Sequence, residues 1–149
     1  MTLKIEKQDY FLLCEQNGNF VELSRLLNGV QRLLPGTVTP TEAELEAAIE
    51  TAENWLMPFL YGKKGNVLKV IDMTNQLSSS LFAFAEIEGD VWSLEQIEQT
   101  FLKLLDTITG RFALATFSKH RRFVADWLLV RELAHHGQFG IVILASNKP

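Results

Sequence analysis

The chain has 149 residues, of which 47% are hydrophobic and 21% charged, with a formal net charge of −4. These values suit one soluble globular domain and exclude a disordered, collagen-like or coiled-coil chain. A net acidic chain lacks the basic footprint of a nucleic-acid binder, and its longest apolar runs fall far short of the ~20 residues of a membrane helix. A single cysteine, Cys14, rules out an intramolecular disulfide. With the charged start Met1 to Asp9, this makes the cytoplasm the expected compartment.

Residues 7–17 read as a short helix with Tyr10, Leu13 and Cys14 on its apolar side and Gly18 as its stop. Asn19 and Glu22 read as a capping box for a second helix carrying Leu23, Leu26, Leu27 and Val30, ended by Pro35-Gly36. Thr39-Pro40-Thr41-Glu42 reads as a helix start with Thr39 as cap and Pro40 in the first turn. Behind it Leu45, Ala48, Ile49, Ala52, Trp55, Leu56 and Phe59 recur on one helical face, with Pro58 kinking or ending a helix over 40–57. Residues 61–66 form a turn. They are the candidate sub-boundary, within a single domain of 1–149, between a helical half (1–60) and a sheet-containing half (67–149).

The period then changes. Residues 67–74 and 81–88 read as two strands around a polar loop. Ser93 to Gln96 is a further capping box, opening a helix that carries Ile97, Phe101, Leu104, Leu105 and Ile108. A strand over 112–117, a helix over 120–136 apolar on most sides, and an unbroken apolar strand over 141–145 complete the series. The expected fold is therefore α+β. An N-terminal layer of about three helices precedes a ββαβαβ unit that forms a mixed four-stranded sheet with helices packed on it.

Charge is segregated: residues 1–60 hold four Lys/Arg against nine Asp/Glu, and residues 111–149 hold six against two. The densest basic cluster, Ser118-Lys119-His120-Arg121-Arg122, falls between a predicted strand and a helix. Loops there often present ligand sites in α/β folds. Basic side chains at a helix start oppose its dipole, which is slightly unfavourable without a negative partner unless the segment is simply a solvated turn. The candidate partners are a phosphate, a carboxylate ligand, or the glutamate-rich helix over 42–53. His135-His136 reads as a helix C-terminus where imidazolium favours the dipole, and Glu132-x-x-His135 alone is too few ligands for a metal. No metal or cofactor is expected.

The acidic face and the aromatic segment, comprising Glu46, Glu50, Glu53, Trp55, Met57, Phe59 and Tyr61, form a candidate interaction surface, since aromatics and Met are enriched in interface cores. With no catalytic constellation in view, the leading expectation is a non-enzymatic accessory protein (adaptor, chaperone-like, inhibitor or immunity-type) with a protein partner or itself as a homodimer. The alternative is a small anionic-ligand domain or small enzyme using the 118–122 turn with His120.

Overall fold

The computed structural model describes residues 1–36, 39–60, 66–109 and 117–145, the side chains of 109 and 117–119 aside. Three strands come first: β1 (Thr2–Ile5), β2 (Tyr10–Gln16) and β3 (Asn19–Leu26). They are followed by α1 (Gly29–Leu33), α2 (Glu42–Leu60), β4 (Val67–Asp72), α3 (Leu77–Ala85), β5 (Val91–Ser93), α4 (Leu94–Thr109), α5 (Phe117–His136) and β6 (Ile141–Ala145). The six strands form one mixed sheet in the order β3-β2-β1-β4-β6-β5. The centre is parallel (β1 with β4, β4 with β6) and the flanks are antiparallel.

This corrects the expected N-terminal helical layer and the four-stranded sheet. The reason is local. Asn17 (φ 53°) and Gly18 (φ 79°) both occupy the left-handed region and join paired residues Gln16 and Asn19. An Asn-Gly pair in that conformation makes the two-residue turn whose twist matches a β-hairpin. Gly18 is therefore a turn residue and not a helix stop.

A second correction concerns residues 75–88, expected as loop and strand, where α3 lies. The Asp72 carboxylate at the end of β4 accepts the backbone N–H of Gln76 (2.9 Å) and Leu77 (2.8 Å), which opens the helix. Leu77 and Leu81 are buried and Phe84 and Ala85 pack beside them, a helical spacing hidden under local alternation.

The cap expected at Thr39 is at Thr41 instead. Glu44 N–H donates to Thr41 Oγ1 (3.1 Å), and Thr41 N–H donates to Glu44 Oε1 (3.4 Å). The helix behind it continues through Pro58 to Leu60. The box at Ser93 and Gln96 forms as read, with reciprocal bonds of 2.9 and 3.1 Å. The turn at 61–66, Asn66 apart, lies outside the described residues. So does the strand expected at 112–117, save Phe117, which begins α5.

One sheet face is buried along Leu3, Ile5, Leu12, Leu68, Val70 and Val142. The opposite face carries Lys4, paired with Glu6 (3.0 Å), and Lys69, paired with Glu15 (3.8 Å). α5 lies at the centre of the helical layer, against α1, α2, α3 and α4. From Phe123 to Val130 every side chain is buried. Trp127 stacks on Phe123 (centroids 5.9 Å apart) and meets Trp92 edge-on (5.4 Å). Among the described residues no helix is long and apolar enough to cross a membrane.

Candidate functional site

The parallel pair β1 and β4 ends at Ile5 and Asp72, which stand side by side. Just beyond those carboxyl ends opens a crevice of about 730 Å³. Lys7 and Gln8 line it from the turn after β1, and Met73, Thr74 and Gln76 from the turn after β4. Asn28, Val30 and Gln31 close it on the α1 side, and Arg121 and Arg122 on the α5 side. Three of these residues are cationic, and among the described lining residues none is a carboxylate.

The cations are held differently. Arg122 is a strap. Its Nε donates to both oxygens of Asp126 (3.0 and 3.2 Å), and its two Nη atoms donate to the carbonyls of Lys7 and Glu6. Arg121 Nη1 donates to Gln31 Oε1 (3.1 Å) and to the carbonyl of Gly36 (3.0 Å), with Nη2 and Nε carrying further donors. Lys7 is exposed and contributes a compact point charge at the mouth.

A buried network supports the strap. Tyr10 and Asp126 are inaccessible to solvent or nearly so, and Tyr10 Oη donates to Asp126 Oδ1 at 2.5 Å. Burial pushes the Asp126 carboxyl up to about 7, against the pull of the Arg122 guanidinium and the Tyr10 hydroxyl. The Tyr10 hydroxyl is raised well above its usual value, first by burial and then by the neighbouring Asp126 charge. Gly29 lets the ring in: a Cβ there would lie 2.3 Å from Tyr10 Cδ2.

Of the five residues read as an anion site, Arg121 and Arg122 reach the crevice. His120 is exposed and does not line it. Ser118 and Lys119 belong to the first turn of α5, their side chains outside the description. Among the described side chains, the negative partner of the basic turn is Asp126, which takes Arg122 one turn along the same helix. Lys7, Thr74 and Gln76 were missed, because only the parallel pairing of β1 and β4 brings their turns together.

The expected interaction surface is divided. Glu46 and Glu50 are exposed on α2. Trp55 donates through Nε1 to Ser24 (3.0 Å) and Phe59 packs on the core, leaving Met57 exposed; Tyr61 lies outside the described residues. Apart from the crevice, Glu53 meets the last turn of α5. Its carboxylate, that of Glu132 and the His136 imidazole offer ligand atoms all within 4.8 Å of one another. They form a candidate metal triad.

The described residues form a six-stranded α+β sheet with a basic crevice at its parallel strand ends, the place where open α/β sheets commonly take ligands. No family model matches the chain, and no curated protein does. Solved structures do. A structure of the Aquifex aeolicus PPX-GPPA enzyme superposes with a TM-score of 0.71 at 13% identity, over 97% of this chain and 52% of that one. The type II variant of the Aquifex aeolicus Ppx/GppA phosphatase gives 0.69 at 16%, over 98% and 52%. A third structure, of the Aquifex aeolicus member of the Ppx/GppA family, gives 0.68 at 15%, over 97% and 51%. The chain thus spans about half the length of the solved structures it matches, and the likeness is one of fold. It corrects the expectation of a non-enzymatic, protein-binding accessory factor. The fold is one that phosphatase structures share, and the chain adds a candidate metal triad.

Proposed function

We propose that this chain is a phosphatase-like domain that binds a phosphoryl group in the crevice at the carboxyl ends of β1 and β4. The observation that carries the reading is the placing of Lys7 and Arg121 around a crevice whose described lining contains no carboxylate. Arg121 presents a planar fork suited to phosphate oxygens, and Lys7 neutralises charge at the mouth. Arg122 joins them as a fixed positive charge whose donors already hold the strand turn in place. Such preorganised cations stabilise the charge that develops on a transferring phosphoryl group. The fold shared with phosphatases supports the enzymatic side of this reading.

Titration with inorganic phosphate and pyrophosphate, followed by the melting temperature and by phosphorus NMR line width, tests it. Both anions should raise the melting temperature by mass action. Arg121→Gln removes charge-assisted hydrogen bonds worth ~1.5–3 kcal/mol and should weaken binding by about tenfold or more. An unshifted melt, or a shift that survives Arg121→Gln unchanged, would sink the proposal.

A further inference from the structure

The geometry points to a zinc site formed by Glu53 of α2 with Glu132 and His136 of α5, a clamp between the two helices that is independent of the phosphoryl crevice. His136 Nε2 lies 3.2 Å from Glu53 Oε1 and 3.0 Å from Glu132 Oε2. A single imidazole nitrogen carries at most one proton, so it cannot serve two carboxylates at full strength. Glu132 shows the shortfall. Its side chain is fully buried, yet Oε2 accepts no hydrogen bond. The other oxygen, Oε1, is fixed by Arg131 Nη1 at 2.7 Å. Arg131 is itself held by Glu98 (3.3 Å) and lies over the Phe101 ring (4.7 Å). One carboxylate oxygen is thus oriented by its surroundings, and the other accepts no hydrogen bond while lying among the ligand atoms of Glu53 and His136. That is how outer residues prepare a metal-binding carboxylate.

The spacing suits a small divalent ion. Ligand atoms about 2.0–2.2 Å from a tetrahedral zinc lie about 3.3–3.6 Å apart, a little beyond the 3.2 and 3.0 Å that separate the His136 nitrogen from the two carboxylates. A cation at their centre would replace the crowding of two carboxylates by attraction to both. The imidazole favours zinc over magnesium, which prefers oxygen ligands and keeps its water. Three protein ligands leave a fourth position, and Glu53 and His136 are half-buried, so water can occupy it from the solvent side. The site is remote from the crevice: His136 lies fourteen positions after Arg122 on the same helix, about 21 Å along α5.

The test uses the full chain, stripped with chelator, reloaded with zinc sulfate and dialysed. Atomic emission should count one zinc per chain, and zinc should raise the melting temperature while magnesium chloride at the same concentration does not. Glu53→Gln and His136→Ala should each weaken zinc at least about tenfold, the least that losing a supporting residue costs a metal site. The metal-free Glu53→Gln protein should melt close to wild type, because the amide keeps an oxygen to face His136 Nε2, which separates a ligand defect from a folding defect. Phosphate binding should be unchanged in both variants, so this inference and the phosphoryl reading can fail separately. Absence of bound zinc, zinc retained at wild-type affinity in both variants, or equal stabilisation by magnesium would each overturn it.

Discussion

The two ends of α5 solve opposite electrostatic problems with the same helix. At its start Arg121 and Arg122 set positive charge against the positive end of the dipole. At its end His135 and His136 meet three carboxylates, those of Glu53, Glu98 and Glu132. The start is resolved within the fold: Asp126 takes Arg122, and two strand-turn carbonyls take its remaining donors. The end is unresolved, with Glu132 Oε2 buried and accepting no hydrogen bond. A charge fully paired inside the fold serves as framework for its neighbours, whereas one left short of partners marks a place for something added. At the crevice the groups open to a ligand are accordingly Arg121 and Lys7, and at the far end they are the triad itself.

The comparison assumes one rigid rod carrying both ends, and its strongest test removes the middle. Trp127 is fully buried between Phe123 and Trp92. Trp127→Ala should cost about 3–5 kcal/mol by the loss of buried surface and the cavity left behind. Denaturant unfolding would measure it. Phosphate and zinc stabilisation should weaken together. Loss of one with full retention of the other would show that each end is held by its own neighbours.

A pH series examines the start of the helix alone. The Asp126 carboxyl sits at about 7 in the folded chain, against about 3.9 for an unfolded aspartate. Between those values the folded state holds a proton that the unfolded state has released. This group's contribution therefore favours folding at low pH and is lost as pH rises through about 7. Tyr10, Arg122 and Asp72 are the groups that bear on it. Asp126→Asn removes the titration. Relative to that variant, wild type should lose stability from pH 4 to 7 by up to about 1.4 kcal/mol per unit, then run parallel above 7. A pH-independent difference would mean that Arg122 keeps the carboxylate ionised throughout.

Sequence reading recovered what is local and strongly periodic. The buried faces of α2 and α4 follow their 3.6-residue spacing, α5 is buried on most sides as its apolar sequence implies, the Ser93–Gln96 box forms, and the apolar run over 141–145 is a strand inside the sheet. Residues 10–26 misled because leucines three and four apart fit a helix as readily as a strand. Asn17-Gly18 was the deciding clue. α3 was misread for the opposite reason: its cap comes from Asp72, a strand residue four positions upstream of Gln76. Arg121 and Arg122 stood out as charges needing a partner, and Arg122 finds it in Asp126 at the i,i+4 spacing of one helix face. Glu53 could not be joined to Glu132 and His136 by any spacing, since 79 positions of sequence separate it from the nearer of the two.

The smallest expected effect is at the start of α2, and it sharpens the comparison by touching neither end of α5. Thr41 and Glu44 exchange hydrogen bonds across the first turn, so Thr41 Oγ1 satisfies an N–H that the helix cannot. Thr41→Ala should cost about 1 kcal/mol, the usual loss for a side-chain cap, seen as a lower unfolding midpoint with an unchanged denaturant slope. Glu53 lies three turns further on, beyond the reach of a frayed first turn. Zinc and phosphate should therefore each stabilise the variant by as much as they stabilise wild type. If zinc stabilisation falls with the cap, α2 moves as a unit against α5, and the clamp depends on the whole helix rather than on its last turns.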